Sequence, residues 1–362
     1  MNVLILTTIK APYRVNLFSE IGKKVNLRVC FEQKHDSTRE NSWYINNNDN
    51  YETIELKGWE KPLFIPRLQI FSELKKKTDY VILYEYSTIT SILVALYCIV
   101  ISKPYFINCD GATETSPKLR DLVKKVMIKH ATGLLANGKS AEKYFLRYGA
   151  KPEKINKQCF SNHFSFELTN TFMKEKEKNN LKGKLNISDE KIILTVGRLE
   201  KIKGIDILIK AWEYVDSDVN LYIIGSGIEE SNYKKMIEKY SNIKMFPHMN
   251  KEKLDEFYKI SDIFVIPSRG DVWGLVVNEA MSFGLPIISS NMCNAGLELI
   301  EDGENGYLID NDIPKNYADV VNQLIKNSSL MESMGKNNLA KISTFSFENE
   351  SETIIKFIGE VN

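Results

Sequence analysis

Residues 261–290 contain two carboxylates whose spacing suits the binding of a ligand. Asp271 lies in a predicted loop, and Glu279, eight residues later, lies about a turn and a half into a predicted helix. That helix should begin near Gly274, so its free backbone amides and the positive end of its dipole would face the loop and favour an anion there. Either the two carboxylates flank one ligand, or Asp271 merely caps the helix while Glu279 is solvated. The spacing alone leaves both interpretations open.

Two cationic side chains lie in an earlier loop. Arg198 and Lys203 stand between Gly197 and Gly204, after an apolar segment that is predicted to be a buried strand and before a helix start. The glycines let the backbone bend or be approached closely, and a forked guanidinium with an ammonium suits a diphosphate. The loop is not a Walker loop, because no GKS or GKT sequence ends it. Surface salt bridges are the alternative role for both side chains.

A third carboxylate follows a predicted strand of the N-terminal half. Ligands of open α/β sheets bind beyond the carboxyl ends of the strands, so Asp110, Gly111 and Glu114 are expected to line a cleft. The alternative is that Asp110 is only the turn residue of an Asp-Gly pair.

The elements that must position these residues alternate between short apolar runs and helix-compatible segments. Predicted strands occupy residues 3–7, 25–31, 80–84, 105–108, 133–136, 192–196, 221–224, 243–246, 263–266 and 287–290. Such alternation is typical of doubly wound α/β domains, although the first loop has no GxGxxG dinucleotide fingerprint. With 362 residues the chain should form two domains. A lysine-rich segment at 165–191 should form the linker and the lead-in to the second domain, so we expect the domains at 1–165 and 166–345.

The composition, with 43% hydrophobic and 26% charged residues, is that of a soluble globular protein. Five scattered cysteines without a CxxC pair indicate a reducing compartment and no structural zinc. The N-terminus has no positive n-region and reads as a first strand, so a signal peptide is not expected. The longest apolar run, residues 89–101, is too short to span a bilayer and should form a buried helix.

The formal net charge of +1 hides an asymmetry. Residues 1–165 contain 25 Lys and Arg against 16 Asp and Glu, giving +9, and the remaining 23 against 31 give −8. Residues 117–131 form a predicted basic helix with Leu122, Val123, Val126 and Met127 on its apolar face, and Lys75, Lys76 and Lys77 add to the charge. This basic half would face anionic lipid, an anionic substrate or only water.

Joined together, the blocks resemble the donor-domain motifs of the retaining glycosyltransferases of family GT4, also called glycosyltransferase group 1. The matching segments are Gly197-Arg198-Leu199 with Lys203-Gly204, Gly225-Ser226-Gly227, Asp271-x-Trp273-Gly274-Leu275-Val276-Val277-Asn278-Glu279-Ala280-Met281, Gly284-Leu285-Pro286 and Asp302-Gly303-Glu304-Asn305-Gly306. Order and spacing match over residues 192–310, and earlier only Ala11-Pro12-Tyr13-Arg14 and Ala136-Asn137-Gly138 are similar. The resemblance implies the GT-B fold, with two Rossmann-like doubly wound domains facing a central cleft. It also implies a last helix, at about 346–362, that packs back on the first domain.

The resemblance assigns a role to each donor-site residue. Arg198 and Lys203 would hold the donor diphosphate, Asp271 would contact hydroxyls of the donor sugar, and Glu279 would contact the nucleotide ribose. Aspartate at position 271 departs from the usual glutamate and shortens the reach by one methylene. The other donor-binding residues are Gly227, His248 near the nucleotide base, and Trp273, Gly274 and Leu275 through their amides.

The acceptor side of the family often carries a His or Asp near the end of an N-domain strand. Asp110 is therefore the candidate, as a base or as a group that stabilises developing positive charge. With Asp271, Arg198 and Lys203 it completes the predicted catalytic set, and His163 and His248 are weaker candidates.

The resemblance implies transfer of a sugar from a UDP- or GDP-sugar to a hydroxyl of a glycan acceptor, with retention and without a metal or other cofactor. We expect a lipid-linked acceptor in bacterial surface polysaccharide synthesis, a cytoplasmic protein peripheral on the inner face of the plasma membrane, and no nucleic-acid partner. Two alternatives stay open: a nucleotide-sugar epimerase of the GT-B fold, and a non-catalytic glycan-binding subunit.

Overall fold

The structure, a computed structural model, describes residues 1–33, 50–58, 62–111, 120–170, 175–185, 187, 190–216, 219–310 and 313–360. The chain folds into two compact units. The first unit is formed by Met1–Ser161 with Phe345–Asn362, and the second by Asn162–Thr344. The boundary therefore lies four residues before the one expected after residue 165.

The first unit contains a parallel sheet whose strands are, in chain order, β1 (Asn2–Thr7), β2 (Asn26–Phe31), β3 (Glu52–Glu55), β4 (Tyr80–Leu83), β5 (Tyr105–Cys109), β6 (Gly133–Asn137) and β7 (Ile155–Gln158). The helices that precede β7 are α1 (Pro12–Gly22), α2 (Ile70–Lys75), α3 (Ile89–Val100), α4 (Arg120–His130) and α5 (Gly138–Arg147). The strands lie in the order β3-β2-β1-β4-β5-β6-β7. Apolar runs such as Val3–Leu6 are buried on both faces, as expected for a parallel sheet covered by helices.

The second unit repeats this architecture with strands β8 (Lys191–Val196), β9 (Val219–Ile224), β10 (Ile243–Phe246), β11 (Ile263–Ile266), β12 (Ile287–Ser290) and β13 (Gly306–Ile309). Its helices are α6 (Glu175–Lys184), α7 (Ile205–Ala211), α8 (Glu230–Ile237), α9 (Lys251–Ile260), α10 (Leu275–Ser282), α11 (Asn294–Leu299), α12 (Pro314–Ile325) and α13 (Ser328–Ile342). The final helix, α14 (Phe347–Glu360), belongs to the first unit and packs against α1.

Both sheets reverse their strand order at one point. In the first sheet β1 lies between β2 and β4, and in the second, in the order β10-β9-β8-β11-β12-β13, β8 lies between β9 and β11. Ligands of doubly wound folds bind beyond the carboxyl ends of the strands at such a switch point. The prediction of two Rossmann-like doubly wound α/β domains is thus confirmed.

Several local features go beyond the sequence predictions. The lysine-rich segment, expected to be the linker and the lead-in to the second domain, contains α6, which packs against α9 and is part of the second unit. The helix at residues 89–101 is only half buried, since Val94 is buried whereas Val100 is 82% exposed. On α4, Met127 is buried as expected but Leu122 is 66% exposed. Glu114 and residues 117–119 of the predicted basic helix lie outside the described residues.

Within the described ranges, every helix is too short or too polar to cross a bilayer.

Candidate active site

The loops that follow β8 and β11 meet at the switch point of the second sheet. Gly204 has a φ of +68°, and a Cβ at this position would lie 2.0 Å from the carbonyl oxygen of Pro267. Only glycine permits this approach. Arg269 fastens the same two loops, because its backbone N–H donates to the Ile202 carbonyl and its guanidinium donates to both carboxylate oxygens of Asp206, at 2.7 and 2.8 Å.

This approach brings together two residues that lie 68 positions apart in the chain. The Lys203 ammonium nitrogen lies 2.5 Å from Oδ2 of Asp271, and both side chains are mostly shielded from solvent. The backbone of Asp271 is held on its other side, since its N–H donates to the Met292 carbonyl at 3.1 Å. The two predicted site residues therefore form one ion pair.

Arg198 lies on the same loop as Lys203 but pairs elsewhere. Its Nη1 donates to Oε1 of Glu200 at 2.5 Å, and 41% of its side chain is exposed. Gly227 backs this loop, because a Cβ at Gly227 would lie 2.5 Å from the carbonyl oxygen of Leu199. The Arg198 guanidinium thus faces solvent at the carboxyl end of β8, where an anion can reach it.

The helix start expected near Gly274 is present. Gly274 is the N-cap residue, Leu275 is the first residue of α10, and in this described segment no side chain caps the helix. The amides of Leu275 and Val276 therefore have no side-chain cap, whereas the Val277 N–H donates to the Gly274 carbonyl at 2.9 Å. Uncapped amides at a helix start favour an anion. Trp273 contributes only its backbone, since its buried indole donates to Oδ1 of Asn278 at 2.9 Å.

Glu279 projects from α10 into a pocket of about 240 Å³ that is lined entirely by the second unit. The hydroxyl of Tyr258 donates to its Oε2 at 2.8 Å. Burial raises the pKa of Glu279 to about 7, against the opposing effects of the Tyr258 hydrogen bond and the Lys251 charge, while Asp255 adds to the increase. This carboxyl therefore titrates near neutral pH and offers hydrogen-bond acceptors when ionised.

The two candidate histidines lie in different surroundings, both in the second unit. His248 is exposed after β10, and its N–H donates to Oγ of Ser226 at 3.1 Å, which joins it to the loop that contains Gly227. His163 is buried and lines the Glu279 pocket. His163 and Glu279 therefore line the same pocket of the second unit.

Asp110 lies at the carboxyl end of β5 in the first unit, with Gly111 directly after it. Its carboxylate accepts hydrogen bonds from the Arg14 guanidinium, from Nδ2 of Asn108 at 2.8 Å and from Nδ2 of Asn137 at 3.0 Å. Nε2 of Gln158 donates to Oδ1 of Asn108 and extends the network. Three donors take three of the roughly four lone-pair positions of the Asp110 carboxylate, an arrangement suited to a fixed negative charge.

Sequence reasoning missed several residues of these sites. Arg14 belongs to the family-like segment Ala11–Arg14, but the sequence does not indicate which residues it contacts. In the structure its guanidinium contacts Asp110, and its Cζ lies 4.7 Å from the centroid of the Tyr84 ring. Glu350 on α14 is buried, and its Oε2 accepts from the N–H of Ser161 at 2.9 Å and from the Ser161 hydroxyl. Burial raises the pKa of Glu350 to about 8.

Comparison with known proteins finds a match to a family model in the second unit. Residues 177–341 match the family model described as glycosyl transferases group 1. An uncharacterized glycosyltransferase of Haemophilus influenzae is 37% identical over 156 residues, which cover 41% of this chain and 43% of that protein. The capsular polysaccharide biosynthesis glycosyltransferase CapM of Staphylococcus aureus is 29% identical over 235 residues, 61% of this chain and 59% of CapM. The chain thus spans about half the length of the curated relatives it matches.

Solved structures resemble the whole chain. HepE of Anabaena in complex with UDP superposes with a TM-score of 0.80 at 16% identity, covering 99% of this chain and 100% of HepE. The glycosyltransferase WaaG, involved in lipopolysaccharide biosynthesis, superposes with a TM-score of 0.71 at 14% identity, covering 98% and 99%. At such identities the likeness establishes the fold, which is GT-B. The chain therefore has the GT-B fold, and its residues 177–341 match the family model of the group 1 glycosyl transferases.

Proposed function

We propose that the protein is a retaining glycosyltransferase of family GT4 that moves a sugar from a UDP- or GDP-sugar to a hydroxyl of a glycan. The observation that carries the proposal is that the loops after β8 and β11 meet at the switch point of the second sheet, where Lys203 pairs with Asp271 and α10 begins without a side-chain cap. Arg198 lies on the same loop as Lys203, and two cations with a helix N-terminus suit a diphosphate.

The chemistry follows from where charge develops. Cleavage of the bond between the sugar carbon and the phosphate oxygen leaves a nucleoside diphosphate with additional negative charge. Arg198, Lys203 and the amides of Gly274 and Leu275 stabilise that charge in place, so the step needs no metal ion.

The remaining donor contacts follow from the same geometry. Ionised Glu279 accepts hydrogen bonds from the ribose hydroxyls, Asp271 contacts the donor sugar, and the exposed loop of His248 and Gly227 lies on the side of the nucleotide base. Structures of HepE with UDP and with UDP-glucose support a nucleotide-sugar donor for this fold.

On the acceptor side we assign Asp110 an electrostatic role. Because Arg14, Asn108 and Asn137 hold its carboxylate in place, it stabilises the positive charge that develops on the sugar ring. The acceptor oxygen bonds to the sugar carbon as the bond to the phosphate oxygen breaks, and the acceptor proton passes to the departing diphosphate.

The acceptor is a lipid-linked glycan of bacterial surface polysaccharide synthesis. The first unit presents unpaired aliphatic side chains on neighbouring helices, with Val100 of α3 82% exposed and Leu122 of α4 66% exposed. Exposed lysines such as Lys125 and Lys129 lie on α4. Aliphatic side chains among lysines bind anionic membrane surfaces, and this chemistry supports the proposed location at the inner face of the membrane.

A thermal-shift panel of UDP, GDP, ADP and dTDP tests the donor class, because a ligand of the folded state must raise the melting temperature. One nucleotide should raise it clearly, and Arg198→Ala should abolish the shift. Arg147→Ala, at an exposed position of α5 in the first unit, is the matched control. Equal shifts in wild type and Arg198→Ala would contradict the proposal.

Incubation with the nucleotide sugar alone separates transfer from its alternatives. A nucleotide-sugar epimerase turns over without an acceptor, whereas the proposed transferase releases nucleoside diphosphate efficiently only when a glycan acceptor is added. A glycan-binding subunit would keep its function in the Arg198→Ala variant.

A further inference from the structure

We infer that Asp271 is a specificity-determining residue that makes the site prefer the nucleotide sugar over the bare nucleoside diphosphate, because its carboxylate competes with the diphosphate for Lys203 until a sugar engages it. The inference rests on the proposed donor site and concerns how that site tells its substrate from its product.

The competition follows from the ion pair. Lys203 Nζ lies 2.5 Å from Oδ2 of Asp271, so in the free protein the ammonium charge is already matched by a carboxylate. An incoming diphosphate must take this ammonium from Asp271 or share it, and it brings its own negative charge close to the carboxylate. Because both side chains are largely shielded, the interaction is stronger than that of a surface pair.

The Asp271 carboxylate has little freedom to move away from Lys203. The Asp271 N–H donates to Met292 and its carbonyl accepts from the Asn294 N–H at 3.4 Å, so the backbone is held from both sides by the segment after β12. Rotation of the side chain is therefore the movement left to it. Aspartate is also shorter than the glutamate usual at this position, so the group that pairs with Lys203 has a limited reach.

A bound sugar shifts the competition for Lys203 in favour of the diphosphate. Its hydroxyl groups donate hydrogen bonds to the Asp271 carboxylate and replace the contact that the carboxylate loses when Lys203 turns to the diphosphate. The product lacks these donors and leaves Asp271 unmatched beside the anion. The pair therefore favours the intact donor and weakens retention of the product after transfer.

The test compares dissociation constants for UDP and UDP-glucose, and for GDP and GDP-mannose as a second pair, in wild type and Asp271→Asn. Wild type should bind the nucleotide sugar of the preferred pair several-fold more tightly than its diphosphate. In Asp271→Asn the diphosphate should bind about 3- to 10-fold more tightly and the nucleotide sugar more weakly, so the preference disappears. A general structural defect would weaken both ligands, and that result would overturn the inference.

Asp216→Asn is the matched control. Asp216 pairs with Lys326 at 2.9 Å in the same unit. It precedes β9 and so lies at the amino ends of the strands, whereas the candidate site lies at their carboxyl ends. This variant should leave both dissociation constants unchanged. Melting temperatures of both variants establish that they are folded.

A Lys203→Ala background separates competition for Lys203 from simple repulsion. If Asp271 acts by holding the ammonium, Asp271→Asn tightens diphosphate binding less in this background than in wild type. An equal gain in both backgrounds would contradict the inference while leaving the proposed function intact. Failure of the wild-type protein to bind any of these nucleotides would contradict the proposed function itself.

Discussion

The hydroxyl of Tyr258 donates a 2.8 Å hydrogen bond to Oε2 of Glu279, and the Tyr258 ring is fully buried and stacked against Phe283, with centroids 5.3 Å apart. The tyrosine is thus fixed by packing, and its single donor fixes one oxygen of the carboxylate. The other oxygen faces the pocket that Lys251 and His163 line. One consequence is a dependence of donor binding on pH.

Affinity for the nucleotide sugar should rise as the pH increases through about 7. Burial raises the pKa of Glu279 to about 7, so the carboxyl is protonated below this pH and gains its full acceptor capacity above it. A nucleotide sugar suits the measurement, because its diphosphate has no ionisation in this range. Glu279→Gln should make the dissociation constant nearly independent of pH between about 5.5 and 8.5.

Tyr258→Phe should move the same transition to higher pH. The variant removes a hydrogen bond that stabilises the ionised form, so the pKa of Glu279 rises further. Weaker binding at pH 7 with recovery at pH 8.5 is the expected result. A uniform loss at every pH would show that the tyrosine acts only through packing.

Gly204→Ala should destabilise the protein by about 2–4 kcal/mol. The substitution places a Cβ at a φ of +68° and 2.0 Å from the Pro267 carbonyl oxygen, so the loops after β8 and β11 must separate. Donor affinity should fall with it. Gly183→Ala is the control, because a Cβ there meets nothing within 4 Å and the site is helical; it should be neutral or stabilising in urea unfolding.

Glu350→Gln should become more favourable relative to wild type as the pH rises from about 5 to 8. The pKa of Glu350 is raised from an ordinary 4.5 to about 8, so between these values the unfolded chain releases a proton that the folded protein retains. Wild-type stability therefore declines with pH across this window, and glutamine removes the decline. Urea unfolding at pH 5.5 and 8 should reveal a gain of about 1–2 kcal/mol; a gain independent of pH would contradict the assignment.

Asp110→Asn should lower turnover about 10- to 100-fold with little change in donor affinity, since the donor residues lie in the other unit. It also leaves Arg14 without its carboxylate and should reduce stability. Asp262→Asn, which breaks the buried pair with Lys178 at the amino end of β11, is the control for that loss. Reduced stability with normal turnover is expected of the control alone.

Vesicles that contain anionic lipid should bind the protein, and added salt should weaken the binding. Replacing Val100 and Leu122 together by glutamate should abolish it, because both are exposed on the first unit. Ile228→Glu changes an equally exposed aliphatic residue of the second unit, 88% exposed, and should have no effect. Co-sedimentation measures all three proteins.

The sequence predicts the core strands well because central parallel strands are apolar on both faces. Residues 192–196, 263–266 and 287–290 coincide with the central strands β8, β11 and β12 to within one residue. It misses β3 and β7, with sequences ETIE and INKQ, because an edge strand is covered by fewer neighbours and its polar side chains give no apolar run. The sequence also does not predict that Val100 is exposed, because hydrophobicity alone does not show whether a neighbour covers the side chain.

The same distinction applies to the candidate site, where the sequence predicts which residues lie in the loops but not which residues pair. Loop positions of Arg198, Lys203 and Gly274 follow from local sequence, because glycines and strand ends mark them. Pairings do not follow, because Lys203 meets Asp271 only through the adjacency of β8 and β11. The pairing of Arg14 with Asp110 joins residues 96 positions apart for the same reason. Long-range partners depend on strand order, which local periodicity does not contain.

The return of α14 to the first unit has a consequence for synthesis on the ribosome. Phe357 packs against Phe106, and Glu350 binds Ser161, so the first unit lacks part of its interior until α14 has been synthesised. The second unit, by contrast, has all of its residues by Thr344. During translation the second unit can therefore complete its fold before the first.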